Sequence, residues 1–339
     1  MKTYRKILFL PILLLLSLTA FGQNNNDTKK LVDDGVALFD KGDYKTAMEK
    51  YKAALAIDPN DLRADFEMGY TLYTTGKGME AIAYLEPILK SNDSKYETYE
   101  LLGSIYDDNN QPDKAIEAYK AGIKDKPDFE RLHFNLGITY ERLNKHSDAE
   151  AEAIEALKLD PTHASAHRLY AMATQAQGKR ANALLAWCNF LLLEPQTARS
   201  PDAVVSLKRI VNYGISQKSG KNVNVSISSS DMNSLNLGMT LAIINATSSK
   251  QNLSSVDSLS LQLNSLFPII SEQAQDKDPF FSKYYAKYFN TMTDSGNIPA
   301  LAHYITLSAY KDEDLAWFKD HDKELKDLQK WLNDTKHDF

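Results

Sequence analysis

Small residues recur through the first part of this chain at a fixed spacing of 34 residues. Glycine occupies four successive places in this series and alanine the fifth, at Gly35, Gly69, Gly103, Gly137 and Ala171. Alanines follow the same step at Ala47, Ala81, Ala115, Ala149 and Ala183. Prolines follow it at Pro59, Pro127, Pro161 and Pro195, with Asp93 in the one gap. Glycine inside a helix costs about 1 kcal/mol relative to alanine, so its regular return predicts a stack of closely packed helical units.

Counting from position 28 gives five repeats of equal length, at 28–61, 62–95, 96–129, 130–163 and 164–197. Within each repeat the small residues fall at positions 8 and 20, and the proline at position 32. Position 24 is large in four repeats (Tyr51, Leu85, Tyr119 and Trp187), whereas the fourth repeat has Ala153 there. This pattern resembles the tetratricopeptide repeat, a helix–turn–helix unit of the same length. The resemblance implies an all-α solenoid of five helix–turn–helix repeats over residues 28–198.

The rest of the chain, residues 199–339, is predicted to form a mainly helical C-terminal domain that opens on a Ser-Pro-Asp helix-start signal at 200–202. Alternating residues at 222–230 give a weak strand signal inside it. Residues 278–310 resemble a degenerate repeat because Gly296 stands at the turn, but Leu301 occupies the small-residue position, so a sixth repeat is left open. A charged, amphipathic helix over 312–333 is expected to cap the array, which needs one polar outer face.

The N-terminus has the three parts of a secretory signal peptide: a basic start, an apolar core and small residues before a cleavage site. We expect a signal peptide at 1–22 that is cleaved after Gly22, followed by a polar tether at 23–27. A retained membrane anchor is the alternative, but the apolar run is short and Pro11 interrupts it. Because no cysteine adjoins the cut site to carry a lipid, we expect a periplasmic or secreted protein without stable membrane insertion.

Charge and cysteine content restrict the class of partner. Removal of the signal peptide takes away three positive charges and changes the formal net charge from −6 to −9. Such an acidic chain is poorly suited to binding the phosphate backbone of nucleic acid. The single cysteine, Cys188, excludes an intrachain disulfide and is expected to be a buried small apolar residue.

The resemblance also implies a binding surface, because the first helices of such repeats line a concave groove. Positions 2, 5, 9, 12 and 13 of each repeat face that groove in the family. The candidate groove residues are Val32, Val36, Phe39, Phe66, Tyr70, Tyr73, Glu97, Glu100, Asp107, Asp108, Arg131, Phe134, Arg142, Arg168 and Met172. This set is aromatic at one end, acidic in the middle and partly basic at the far end. It favours an extended partner segment with an apolar anchor and a basic stretch.

Three aromatic residues of the second repeat, Phe66, Tyr70 and Tyr73, are the leading anchor candidates, since aromatics dominate interface energetics. The alternative is a groove filled by the C-terminal domain. Some members of the family grip a terminal carboxylate with polar side chains, but Val32 and Val36 stand where the first repeat would need them. A carboxylate clamp is therefore not expected.

No motif predicts catalysis, a cofactor or a metal. His163 and His167 have a spacing that metals use, but no third ligand is evident nearby, so core or surface histidines are favoured. The acidic run at 107–113 lacks the glycine and distal glutamate of a calcium loop and is interpreted as a turn.

The sequence therefore favours a non-enzymatic protein–protein interaction scaffold of the bacterial cell envelope that binds a protein or peptide segment in the groove. Two alternatives stay open. One is an enzyme or small-ligand binder with its site in residues 200–339 and the repeats as docking platform. The other is a structural array whose groove is self-occupied.

Overall fold

The computed structural model describes most of the chain beyond the predicted signal peptide. The described ranges are 26–91, 95–217, 223–225, 234–248, 253–274 and 278–337. The signal peptide at 1–22 and most of the tether lie outside these ranges. The chain forms two compact units, Met1–Asn135 and Leu136–Phe339, which we call the N-terminal unit and the C-terminal unit.

The helices of the N-terminal unit come in pairs that follow the 34-residue period. They are α1 (26–39), α2 (Tyr44–Ile57), α3 (Leu62–Thr74), α4 (Gly78–Leu89), α5 (Tyr96–Asp108), α6 (Pro112–Asp125) and the start of α7 (Glu130–Arg142), which continues into the C-terminal unit. Within this unit, α3 packs on α4 and α5 packs on α6, and successive pairs are joined by contacts of α2 with α3 and of α4 with α5. The helix–turn–helix repeats predicted from the sequence are therefore present.

Local signals in the sequence set the helix ends. Asp61 begins α3, because its carboxylate accepts hydrogen bonds from the backbone amides of Arg63 and Ala64 at 3.1 and 3.0 Å. Gly42 and Gly76 end the first helices of repeats one and two with φ of +78°, a left-handed conformation that glycine adopts without strain. The run at 107–113 likewise forms the end of α5, a turn and the start of α6, as the sequence predicted.

The recurring glycine at position 8 packs against the side chain at position 24 of its own repeat. A β-carbon added at Gly69 would lie 2.8 Å from the Leu85 Cδ2 atom, and one added at Gly103 would lie still closer to the ring of Tyr119. The alanines at position 20 are fully buried in all five repeats. Small residues thus allow the paired helices to approach closely, which is the cause that the sequence period predicted.

The fourth repeat has a different contact because Ala153 leaves position 24 small. A β-carbon at Gly137 would lie 2.7 Å from the Leu169 Cδ2 atom of the fifth repeat. Leu169 is itself buried. A residue from the next repeat therefore supplies the bulk that the fourth repeat lacks.

The C-terminal unit continues the array and then adds further helices. Its elements are the rest of α7, α8 (His146–Leu159), α9 (Ala164–Ala176), α10 (Arg180–Leu193), α11 (Ser200–Val211), β1 (Ile215–Gln217), β2 (Val223–Val225), α12 (Ser234–Ser248), α13 (Ser255–Gln273), a π-helical segment (Phe281–Lys287), α14 (Tyr288–Asp294), α15 (Ile298–Thr306), α16 (Lys311–Asp320) and α17 (Asp322–Asp334). The strands form an antiparallel pair in which Ser216 lies opposite Asn224. The mainly helical character predicted for this region is confirmed.

The second helix of repeat five, α10, is buried on all sides. It contacts α9, α11, α12, α15 and the π-helical segment, and all of its residues except Leu193 are buried. A helix that is apolar around its whole circumference belongs in a core. Cys188 lies fully inside this helix, where burial raises the pKa of its thiol. Its predicted role as a small buried apolar residue fits this position.

Two predictions for the tail meet different structures. The helix expected over 312–333 is divided into α16 and α17 at His321, whose Nδ1 atom lies 2.9 Å from the Trp317 carbonyl oxygen. In the range 278–310, Gly296 has a φ of +76° at the turn between α14 and α15. Whether this range descends from a sixth repeat stays a prediction. Among the described helices, none is long and apolar enough to cross a membrane.

Replacement of Gly103 by leucine is expected to destabilise the N-terminal unit. The new side chain would collide with Tyr119, and overpacking of a core costs about 1–3 kcal/mol. The matched control is Lys124→Leu, which adds the same residue at an exposed position of α6. Urea unfolding of both variants measures the difference, and equal stability would show that the helices do not need close contact at position 8.

Asp65 is a buried acid in α3 with an unusual environment. The residue is 5% exposed, and its Oδ2 atom has no hydrogen-bond partner within the described part of the chain. Burial and the nearby Asp61 carboxylate raise the pKa of Asp65 to about 6. The folded protein therefore holds a proton on Asp65 at a pH where the unfolded chain has released it.

This raised pKa predicts a loss of stability as pH rises from about 4 to about 6, since the protonated acid is favoured only in the folded state. Asp65→Asn removes the ionisation and is expected to stabilise the protein at pH 7 by about 1 kcal/mol, with little effect at pH 4. Glu117→Gln, an exposed acid on α6, is the control. A stability difference between Asp65→Asn and the natural protein that is independent of pH would contradict the assignment.

Candidate functional site

Six of the predicted groove residues converge on one depression in the N-terminal unit. These residues are Phe66, Tyr70, Tyr73, Glu97, Glu100 and Arg131, and they lie on α3, α5 and α7. The depression has a volume of about 440 Å³. We call it the aromatic depression. Its lining is completed by Glu67, Leu101, Ser104 and Phe129.

Aromatic rings form one wall of the aromatic depression. The rings of Phe66 and Tyr70, one helical turn apart on α3, are nearly parallel with centroids 6.4 Å apart. Phe39 of the first repeat also contacts Tyr70, with ring centroids 5.4 Å apart. Tyr70 is 41% exposed, so a large part of its ring is available for contact with a partner. Tyr70 is thus held in place by its neighbours and still faces solvent.

Tyr73 is fixed by an acid of the next repeat. Its hydroxyl donates a hydrogen bond of 2.8 Å to Asp108 Oδ2. Burial and this acceptor raise the pKa of Tyr73 to about 12, so the phenol keeps its proton at neutral pH. Asp108 therefore orients one of the three predicted anchor residues.

An ion pair between repeats three and four is also part of the lining. Arg131 donates from Nε and Nη2 to Glu100 Oε1 at 2.8 and 2.6 Å, and from Nη2 to Glu100 Oε2 at 2.7 Å. The Arg131 guanidinium also lies 5.4 Å from the centroid of the Phe129 ring. Burial raises the pKa of Glu100, and Arg131 opposes that shift. The Glu100 side chain is 12% exposed, whereas that of Arg131 is 62% exposed.

The first repeat corrects part of the predicted groove. Val32 is fully buried in the core of the N-terminal unit, so its assignment to an accessible groove is wrong. Val36 and Phe39 are partly buried and pack against that same core. Val32 is buried because its side chain is short and lies under neighbouring residues. Longer side chains at the same position of other repeats reach the surface. Phe39 contributes only indirectly, through its contact with Tyr70.

The remaining predicted residues are dispersed. Asp107 is half-buried near the end of α5, and Phe134 is partly buried on α7 away from the aromatic depression. Arg142 is exposed at the end of α7 in the C-terminal unit. Arg168 and Met172 lie on α9 and line a second depression of about 380 Å³ within that unit.

The second depression is partly walled by the helix that follows the repeats. Asp202, Ala203 and Ser206 of α11 line it together with Arg168 and Met172. Trp187, at its base, donates a hydrogen bond of 2.9 Å from Nε1 to Gln175 Oε1. Within the C-terminal unit, the region after the repeats therefore borders the first helix of repeat five.

His167 is a core residue. It is fully buried, with Nδ1 2.6 Å from the Tyr285 hydroxyl and Nε2 3.0 Å from the Pro161 carbonyl oxygen. Burial lowers the pKa of His167 to about 3, so the ring is neutral. The core interpretation of this histidine is confirmed. In the parts of the chain that the structure describes, no group of three or more histidine, cysteine or acidic residues is placed to hold a metal ion.

Some site residues were not selected from the sequence. Phe129 precedes α7 and lies in the link between repeats three and four, which the groove positions do not include. Trp187 is at position 24, which the repeat pattern assigns to packing. The sequence feature that points to Phe129 is its place two residues before Arg131, because cations and aromatic faces attract each other.

Comparison with protein families identifies the repeats. A family described as TPR repeat matches residues 35–76 and 103–144, and one described as tetratricopeptide repeat matches residues 134–203. These ranges overlap all five predicted repeats. The chain therefore contains tetratricopeptide repeats.

Curated relatives match about half of the chain or less. Protein O-mannosyl-transferase TMTC1 of Homo sapiens is 32% identical over 180 residues, which are 52% of this chain and 20% of that protein. General transcriptional corepressor ssn6 of Schizosaccharomyces pombe is 28% identical over 136 residues, which are 39% of this chain and 12% of that protein. The chain thus spans a fifth or less of the length of these two relatives.

Two solved structures are similar to this chain. The structure of Pseudomonas aeruginosa pilF has a TM-score of 0.51 and 17% identity, and the match covers 56% of this chain and 85% of that chain. A crystal structure of MamA has a TM-score of 0.45 and 24% identity, with 47% and 94% covered. The match to pilF shows a shared repeat fold.

Proposed function

We propose that this protein is a non-enzymatic interaction scaffold that binds an extended segment of a partner protein at the aromatic depression. The observation that carries the proposal is the exposed ring of Tyr70, which contacts the rings of Phe39 and Phe66 in a depression that is also lined by acidic residues. Aromatic residues with one polar end are enriched among the residues that dominate binding energy. Proteins built from this repeat commonly act as interaction scaffolds.

Rigidity of the site supports this proposal. Tyr70 is packed by two rings, and the Tyr73 hydroxyl is fixed by its hydrogen bond to Asp108. These side chains therefore lose little conformational freedom when a partner covers them. Preorganisation of this kind raises affinity because it lowers the entropic cost of association.

Tyr70→Ala is expected to weaken a captured partner by about 2 kcal/mol or more, which is roughly 30-fold in affinity. Fold stability should change much less, because the ring is 41% exposed. The control is Tyr213→Ala, since Tyr213 is the same residue type with 42% exposure and lies in the C-terminal unit. Partners are captured from an envelope extract and identified, and their affinity for each variant is then measured by calorimetry with thermal melts in parallel.

The two variants separate the possible outcomes. Loss of affinity in Tyr70→Ala but not in Tyr213→Ala supports the aromatic depression as the docking site. If Tyr70→Ala leaves the affinity unchanged, the partner binds elsewhere and the proposal fails for this site.

We further propose that the protein works in the bacterial cell envelope, as a periplasmic or secreted protein. The support comes from the leader alone, which combines a basic start, an apolar core and small residues up to Gly22. An exported scaffold would meet partners in the envelope.

Export predicts a mature chain that begins at Gln23 and is found in the soluble envelope or culture fraction. Mass spectrometry of the N-terminal peptide from the native host checks this prediction. Detection of an intact Met1, or of a lipid-modified N-terminus, would refute it. A variant with Leu14→Arg in the apolar core should remain unprocessed, because a charge there blocks recognition of the leader.

A further inference from the structure

We infer that the aromatic depression takes a basic side chain of the partner segment, and that this side chain competes with Arg131 for the carboxylates of the site. The inference rests on the proposed function and specifies the chemistry of its ligand. Three features of the aromatic depression favour a cationic ligand: its net negative charge, its aromatic rings and the guanidinium of Arg131 that it already holds.

Charge is the first argument. The lining contains three acids, Glu67, Glu97 and Glu100, and one base, Arg131, which leaves a formal charge of −2. Asp108, which accepts the Tyr73 hydrogen bond, lies beside this lining and adds further negative character. Glu97 is exposed, so its carboxylate faces an incoming ligand. An acidic site of this kind attracts and orients a partner of opposite charge.

The aromatic lining is the second argument. Phe66, Tyr70, Tyr73 and Phe129 surround the depression together with these acids. The faces of such rings attract ammonium and guanidinium groups, and the attraction grows when the cation is partly removed from water. Rings combined with carboxylates therefore favour a cationic side chain over a neutral apolar one.

Arg131 shows that a guanidinium fits. It lies over the Phe129 ring and makes a two-pronged contact with Glu100, yet its side chain remains 62% exposed. The partner's cation can therefore reach the same carboxylate if Arg131 swings out into solvent, where a guanidinium is well hydrated. In the unliganded protein, Arg131 acts as a resident competitor that keeps the buried Glu100 compensated.

This competition makes an unusual prediction, because removal of a positively charged site residue should strengthen binding. Arg131→Met retains an apolar stem over Phe129 but frees the Glu100 carboxylate. We expect it to bind a basic segment about three- to tenfold more tightly. Lys52→Met is the control, since it removes an exposed cation of the same unit from α2, a helix that contributes no residue to the lining of the depression.

The experiment uses three blocked heptapeptides, Gly-Gly-Phe-Gly-Xaa-Gly-Gly, in which Xaa is arginine, glutamine or glutamate. Binding to the full mature chain is measured by NMR titration at pH 8, where the carboxylates are ionised. The arginine peptide is expected to bind at least tenfold more tightly than the glutamate peptide, with a preference that shrinks at high salt. Arg131→Met should increase that preference, Glu97→Gln should reduce it, and Lys52→Met should leave it unchanged.

Several results would overturn the inference: equal binding of the three peptides, tighter binding of the glutamate peptide, weaker arginine-peptide binding in Arg131→Met, or no binding at millimolar concentration. Glu97→Gln keeps the test decisive if Arg131→Met does not fold, because Glu97 is exposed. Failure here is distinct from failure of the proposed function. A captured partner that needs Tyr70 but is indifferent to Glu97→Gln and to salt would keep the docking site and reject the cation.

Discussion

The close approach of the two helices in each repeat is the constraint on which the site depends. Gly35, Gly69 and Gly103 allow the side chain at position 24 to lie directly against the first helix of the pair. This contact fixes the rotation of the first helix about its axis. Once that rotation is set, Tyr70 and Tyr73 on α3 are directed to the side where the aromatic depression forms. A core contact therefore determines which residues line the aromatic depression.

The period of 34 residues predicted the repeat fold and the aromatic residues that line the depression. Phe66, Tyr70 and Tyr73 follow directly from the repeat register. The exposure of Val32 does not follow from the register, because at position 5 the length of the side chain decides whether it reaches the surface. A valine there is fully buried, while Phe66 and Glu100 at the same position still line the depression. The repeat register therefore predicts which side of the helix a residue occupies, but not how deeply its side chain is buried.

Register also explains the histidines better than their local spacing does. The four-residue step between His163 and His167 is a spacing that metals use, but it does not explain the environment of His167. The 34-residue step between His133 and His167 does. Each of these two rings lies about 3 Å from the carbonyl oxygen of the proline six residues earlier, Pro127 or Pro161. A repeated hydrogen bond to the link between helices accounts for both. The burial of α10 is indicated by a different sequence feature, an apolar run without helical periodicity. The repeat pattern alone does not predict this burial.

Arginine at position 2 shows why charges cannot be assigned to a partner from sequence alone. The repeat register assigns Arg131 to the partly basic far end of the groove, yet Arg131 pairs with Glu100 of the preceding repeat. Arg63, at the same position of repeat two, pairs with Asp33 of repeat one. Both arginines link successive first helices, and Arg131 thereby neutralises an acid that lines the aromatic depression. Because the pairs join residues about thirty apart in sequence, the net charge of the surface emerges only once the repeats are stacked.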